Sequence, residues 1–462
     1  MDRNRKLFFI SLPFVFLIFF CLKDFPFLLL GLFALGFTIL WAAAIARPPL
    51  LWALVAAIFI SFQAEVSSVK HEFIPRIPHE AMFLLELLLF MSFLLYLYRE
   101  RERIQEIKKE VFSHRESALL FLFLLFGVWA TAWGMMRAHK LERILREAGH
   151  LVGYISFFVM MLADKKDLPI YWFILLGGVL IADAEYLYTA CKLRSYLYLW
   201  GSRIFTTQIQ ISLPLFSLGY TLFIWGKGKE RLFGITMIFL CFPLVFLGQS
   251  RALWMSMGVA ALASTILSFF AEGIERKKGW LFILGSLIFI GIIVFTGLHM
   301  IRERLGEEFY QSIAFRFGTL REIGAVGSFK VRLANVLTYF RLKFNLWSIF
   351  LGWGLGNPIQ QTILLITPIY FVDTWYINIL WKMGAPALAI FLLFIFHVLK
   401  KFLYWMKTGE NTVWALGYAT FMVVLLFNGF ATALLSSRRW ILIFSGIIGM
   451  GYAYYRENKF RR

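Results

Sequence analysis

The sequence predicts an all-α polytopic membrane protein of about 12–14 transmembrane helices, with one long periplasmic loop containing amphipathic helices. Three observations carry this. Hydrophobic residues make up 60% of the 462 positions, and the mean hydropathy is +0.73, outside the range of soluble globular chains. Apolar runs long enough to cross roughly 30 Å of hydrocarbon recur along the whole chain. The alternation of period two that marks a membrane β-barrel is absent, and helices and closed barrels are the only structures that satisfy their backbone in lipid.

In order, the apolar runs fall at 7–22, 26–46, 50–66, 80–98, 118–136, 148–163, 169–190, 211–225, 231–247, 252–271, 280–300, 376–398, 413–433 and 440–455. The first follows Arg3, Arg5 and Lys6 like a secretory signal. It ends at Lys23-Asp24 with no small-residue cleavage site, so it is read as a span. Links that fall on one side carry most of the positive charge. They include Arg47-Pro-Pro, Arg99–Ser117 with six basic residues, Lys227–Arg231, Lys400–Lys407 and the tail Arg456–Arg462. The opposite links include Gly248-Gln-Ser250, which is uncharged. By the positive-inside rule both termini are cytoplasmic. The formal net charge of +20 is then explained by topology and by one basic outer segment, not by nucleic acid.

With no internal repeat and no low-complexity linker, residues 1–462 read as one integral-membrane domain, with 301–375 as a loop inside it. That loop carries Arg302, Arg304, Arg316, Arg321, Lys330, Arg332, Arg341 and Lys343 against five acids between 301 and 374. Val331–Leu346 has the apolar spacing of an amphipathic helix on the outer leaflet. The run Leu351-Gly-Trp-Gly-Leu-Gly-Asn357 cannot continue it and predicts a tight re-entrant turn. Ile363–Val372 contains Pro368 and reads as a surface-dipping piece. Two further outer links exceed a hairpin's needs: Arg137–His150, with Leu141, Ile144, Leu145 and Ala148 on one helical face, and Lys192–Gln210.

Polar groups at the membrane border are costly unless used or paired. Arg251 follows Gln249-Ser250 between two uncharged spans; it reads either as a site residue or as an arginine snorkelling to headgroups. Arg332 offers the planar fork of donors that matches phosphate oxygens, or it lies on the solvated face of a surface helix. Asp373, at the mouth of the span from Tyr376, suits a general base and equally a helix N-cap. Glu86, Asp183 and Glu185 lie inside spans without matching intramembrane cations, a thin basis for an ion path. His71, His79, His139, His150 and His299 lack ligand spacing, so no metal and no cofactor is expected. Cys21, Cys191 and Cys241 suggest packing and no disulfide framework.

Taken in order, these pieces resemble the O-antigen ligase and O-antigen polymerase superfamily. Gly248-Gln-Ser-Arg-Ala-Leu-Trp254 resembles that family's arginine-bearing span entry, and Gly201-Ser-Arg-Ile-Phe-Thr-Thr207 an upstream arginine segment. Arg332, the glycine run and Asp373-Thr-Trp-Tyr-Ile-Asn-Ile-Leu-Trp-Lys-Met-Gly384 follow in the family's order, so the resemblance covers roughly 200–395. It implies glycosyl transfer on the periplasmic face of a bacterial inner membrane, in surface polysaccharide or lipopolysaccharide biosynthesis. The donor would be a glycan on undecaprenyl pyrophosphate. The acceptor would be a hydroxyl of another glycan, of lipid A core or of a protein, attacking with inversion and without a metal. Arg251 and Arg332, with Arg203, would hold the pyrophosphate; Trp353 and Asn357 would line the substrate site; Asp373 would serve as base. Membrane lipids, and a chain-length regulator or other assembly proteins, are the partners implied. Ligases of the family place His-Asn where this chain has Asp373-Thr374, which tilts the resemblance toward a polymerase or another specialised transferase. The competing readings are a multi-span transporter or flippase for a lipid-linked or anionic solute, and a scaffold whose basic loop docks an acidic partner.

Overall fold

The computed structural model describes residues 36, 47–61, 63–64, 76–77, 79–103, 113–192, 208–248, 251–274, 346–357, 375–408, 411–431 and 438–456. These form thirteen α-helices. In chain order they are α1 (Pro48–Ser61), α2 (His79–Arg99), α3 (Arg115–Met136), α4 (Leu141–Gly153), α5 (Ile155–Met161), α6 (Leu168–Lys192) and α7 (Ser212–Trp225). There follow α8 (Lys229–Gly248), α9 (Arg251–Ser268), α10 (Leu346–Leu351), α11 (Trp375–Lys407), α12 (Thr412–Ala431) and α13 (Arg438–Arg456). The extended pairing among the described residues is one two-residue parallel ladder, Gln63–Ala64 on Arg76–Ile77.

Arg115–Met136, Arg143–Met161, Lys165–Ala184, Tyr376–Lys407 and Thr412–Gly429 are long and apolar enough to cross a membrane. Their outer surfaces suit lipid. On α3 Phe121, Leu122, Leu125, Val128 and Trp129 are all exposed, as are Leu232 and Phe239 on α8 and Leu393 and Phe396 on α11. Apolar surface on that scale would drive association in water, whereas in hydrocarbon it costs nothing. The chain is a helical membrane protein. The apolar runs at 7–22, 26–46 (residue 36 apart) and 280–300, the helix at Val331–Leu346 up to residue 345, and the piece at Ile363–Val372 lie outside the described residues.

The helices pack as a bundle in which α13 is central. From Arg439 to Ala453 every residue of α13 is buried, against α1, α4, α5 and α12. Close approach comes from small residues, because van der Waals contact and hydrogen bonds, not water expulsion, hold helices together in lipid. A Cβ on Gly219 of α7 would lie 2.8 Å from Met237, one on Gly234 of α8 2.6 Å from the Gly219 carbonyl, and one on Gly449 of α13 2.5 Å from the Phe157 carbonyl. Trp52 of α1 donates its indole N–H to the Leu442 carbonyl at 3.1 Å, tying α1 to the central helix.

Two expectations need correcting. The outer link Arg137–His150 is a link only from 137 to 140; α4 begins at Leu141 and runs through Tyr154 directly into α5, so link and span are one membrane-long element. Its predicted apolar face is also turned: Leu141 and Leu145 are exposed, while Ile144 and Glu147 are buried. A burial pattern set by apolar spacing fails where a charged side chain has an internal partner. The span expected at 376–398 runs on to Lys407 and is broken at Gly384, which has φ 86° and ψ 173°. The piece 375–383 is a half-helix of about 13 Å, and 385–407 is about 34 Å long, a full span.

Candidate functional site

The break in α11 has a local cause. Pro386 has no N–H to give the carbonyl of Lys382 four residues back, and Gly384 leaves the helix altogether. Two carbonyls therefore need donors from elsewhere, since unsatisfied backbone groups are costly in a membrane interior. The glycine run supplies them. Trp353 N–H donates to the Trp381 carbonyl at 2.8 Å and Gly354 N–H to the Lys382 carbonyl at 3.1 Å. On its other side Leu355 N–H donates to the Ala130 carbonyl of α3 at 3.0 Å.

This hairpin fits only as glycine. Gly352, Gly354 and Gly356 have φ of 69°, 84° and 80°, in the region side chains avoid. A Cβ on Gly354 would sit 2.7 Å from the Gly134 nitrogen, and one on Gly352 2.7 Å from the Gly384 nitrogen. Backbone thus meets backbone on both flanks, at Gly134 of α3 and Gly384 of α11. The tight turn expected from the sequence is present, wedged between two helices.

A buried ion pair locks it. Lys382 Nζ donates to Glu147 Oε1, with side chains 5% and 3% exposed, and Gly356 N–H donates to Glu147 Oε2 at 2.7 Å. One carboxylate therefore ties α4, α11 and the hairpin together. Removing one partner of such a buried pair costs about 3–5 kcal/mol. The expectation that the bundle lacks intramembrane cations is corrected here: Lys382 and Arg439 are both buried.

Above the lock lies a polar and aromatic cluster. Trp381 Nε1–H donates to Asn357 Oδ1 at 3.2 Å, fixing the amide. His139 Nε2 lies 3.1 Å from the Trp353 carbonyl and 3.4 Å from Asn357 Nδ2; the shorter contact makes Nε2–H the donor to the carbonyl. The Trp353 and Trp381 rings stack at 5.6 Å. Arg137 lies 4.9 Å from the Trp133 ring and 4.9 Å from the Trp353 ring, clamped between two indoles, and Trp133 stacks on Trp129 at 6.0 Å. Each cation–π contact contributes about 0.5–2 kcal/mol.

Trp353 and Asn357 are thus brought together, along with His139, Trp381, Lys382, Glu147 and Arg137, which the sequence reading did not single out as a set. A faint signal existed: Trp129, Trp133 and Arg137 recur every four residues, one face of a helix. Arg251 opens α9. Ser256 Oγ of α9 accepts from Asn428 Nδ2 at 2.8 Å and Tyr376 donates to the Leu426 carbonyl at 2.9 Å, so α9 and α11 both begin at the end where α12 finishes. Arg251 therefore starts its helix at the same end of the bundle as the half-helix 375–383. Arg203, Arg332 and Asp373 lie outside the described residues. Among the described residues no group of three or more His, Cys, Asp or Glu is placed to hold a metal ion. Cys241 is buried, with Sγ 3.7 Å from the Ser212 carbonyl.

Chemically, the cluster offers the half-exposed Trp353 indole, an amide with fixed orientation and an exposed guanidinium, a combination suited to a sugar carrying an anionic group. No protein-family model matches the chain, and no curated protein sequence matches it.

Proposed function

We propose that the chain is a glycosyltransferase that takes a glycan from a lipid-pyrophosphate donor and passes it to a hydroxyl acceptor at the hairpin end of the bundle. The observation that carries this reading is the locked cluster of Trp353, Asn357, Trp381 and His139 beside Arg137. It gathers the half-exposed Trp353 indole and anion-binding donors at the end where α9 begins with Arg251. In this reading Arg251 and Arg332, with Arg203, stabilise the charge that grows on the departing pyrophosphate, Asp373 takes the acceptor proton, and the remaining apolar runs complete 12–14 spans. The opposite end carries Arg47, Arg101, Lys165, Lys166, Lys227, Lys229 and Lys407. By the positive-inside rule that rim is cytoplasmic, which makes the hairpin end periplasmic in a bacterial inner membrane.

The test is product analysis with purified protein and lipid-linked repeat units. Chain growth indicates a polymerase, and transfer to an added acceptor a ligase. Trp353→Ala, Arg251→Ala and Arg332→Ala should each lower turnover by 10-fold or more (about 1.4 kcal/mol or above) while the protein still accumulates in the membrane. Undiminished product in all three refutes the reading.

One observation favours a transporter instead. A helix broken at Gly384 beside a buried Lys382–Glu147 pair is the kind of discontinuity that builds solute sites in transporters. Conversion of the lipid-linked substrate without any gradient decides against transport; gradient-dependent movement without a new glycosidic bond decides for it.

A further inference from the structure

The exposed Arg137 occupies an unusual position for a cation at the end of a membrane helix. Its guanidinium lies against two indoles, Trp133 and Trp353, at 4.9 Å each, so it does not sweep freely as a snorkelling arginine does. Among the described residues it forms no ion pair and no side-chain hydrogen bond. A cation–π contact draws on the charge of the guanidinium and spends none of its five N–H donors, the planar set that matches phosphate oxygens. Beside it Trp133 Nε1 is buried and has no acceptor among the described residues. The Trp353 that grips it belongs to the hairpin locked by Glu147 and Lys382. A cation held so, with its donors unspent, is built before its ligand arrives.

We propose that Arg137 is an anion-binding residue that reads phosphate oxygens at the hairpin end, its guanidinium held in plane by Trp133 and Trp353. That the phosphate belongs to a glycan donor rests on the transferase reading above; that Arg137 binds a phosphate does not. Two sources share this chemistry, a pyrophosphate group and an anionic phospholipid headgroup. Lys140 provides the comparison: it is exposed three residues further on, carries the same charge and is gripped by no ring among the described residues.

The experiment is equilibrium dialysis of labelled inorganic pyrophosphate against the full chain in phosphatidylcholine nanodiscs. Arg137→Ala should weaken binding by about 10-fold or more. Arg137→Lys should recover only part of it, because an ammonium lacks the planar fork, and Lys140→Ala should change it by no more than about 2-fold. Size-exclusion profiles of the variants check that each remains folded. Unchanged binding in Arg137→Ala, or equal weakening in Lys140→Ala, overturns the inference, the second by showing that bulk charge suffices. Repetition in phosphatidylglycerol nanodiscs separates the sources. Loss of pyrophosphate binding there assigns Arg137 to a headgroup, and retention assigns it to a pyrophosphate. Binding that depends on Arg137 in a protein that transfers no glycan leaves this site standing and sinks the transferase. Normal transfer by Arg137→Ala with unaltered pyrophosphate binding does the reverse.

Discussion

Arg47 and Asp167 meet at 3.3 Å with side chains 46% and 18% exposed, at the end of the bundle where the basic links gather. Lys382 and Glu147 meet at the other end with both side chains almost wholly enclosed. Glycines divide the same way. Gly228 and Gly273 have positive φ and open space around them, whereas a Cβ on Gly352, Gly354, Gly356 or Gly384 would strike a neighbouring backbone or side chain. Aromatic rings divide too. Lys401 lies over Trp405, itself stacked on Tyr455 at 4.5 Å, in the manner of an interfacial belt. Arg137 is instead clamped between two rings beside a buried ion pair. Both ends carry polar residues between apolar runs, yet one is a solvated rim and the other an assembled interior. Charge and glycine mean different things according to what they pack against.

The severest way to break this contrast is Gly384→Ala. Its φ and ψ belong to a region almost exclusive to glycine, a strain of about 1–3 kcal/mol for any other residue. The added Cβ would also lie 2.7 Å from the Phe350 carbonyl carbon, within backbone that cannot rotate away. With the two hydrogen bonds to Trp353 and Gly354 lost as well, the total is on the order of 5 kcal/mol. The expected result is little monodisperse protein in detergent and a melting transition lowered by many degrees. A variant that melts like the parent would show that the hairpin is not wedged there.

Lys382→Met comes next, at about 3–4 kcal/mol. Methionine fills much of the same volume but leaves Glu147 charged and buried, with Gly356 N–H as its remaining partner. Glu147→Gln should cost a comparable amount by removing the negative charge that faces Lys382 Nζ. Thermal melting in nanodiscs measures both, and a loss under 1 kcal/mol in either would make this pair no different from the one at the rim.

How much of this was visible beforehand follows from range. Helices expected at 169–190, 211–225, 231–247 and 413–433 are found as Leu168–Lys192, Ser212–Trp225, Lys229–Gly248 and Thr412–Ala431, because length and hydropathy are local and lipid enforces them. The tight turn was legible for the same reason, since a run of alternating glycines cannot be helix. The lock was not. Glu147 and Lys382 stand 235 positions apart, and apolar spacing alone put Leu141 and Leu145 on the packed face in place of Glu147. The break at Gly384 was also missed. Gly-Ala-Pro inside an apolar run reads as a tolerable kink until the hairpin that takes over its carbonyls is known.

Gly228→Ala tests the other half of the comparison at a smaller scale. The φ of 53° lies in the left-handed region that alanine enters at a cost of about 1 kcal/mol, and no atom obstructs the new methyl. The melting temperature should fall by a few degrees. A loss comparable to that of Gly384→Ala would erase the distinction between an open turn and a wedged one.

Arg47→Ala should have the least effect. The pair with Asp167 is half in water, so its Coulombic attraction is weakened by solvent and ions, and fixing two side chains offsets much of what remains. The expected loss is below about 1 kcal/mol, and it should shrink further as salt rises from 0.05 to 0.5 M on the order of the Debye screening. Salt should leave the cost of Lys382→Met unchanged, because ions do not reach a pair enclosed by α4, α11 and the hairpin. Melting both variants across that salt range therefore sharpens the comparison more than either magnitude alone. If the rim pair proves salt-independent, it is buried by a neighbour; if the inner pair responds to salt, water reaches Lys382 and the hairpin end is an open cavity and not a sealed lock.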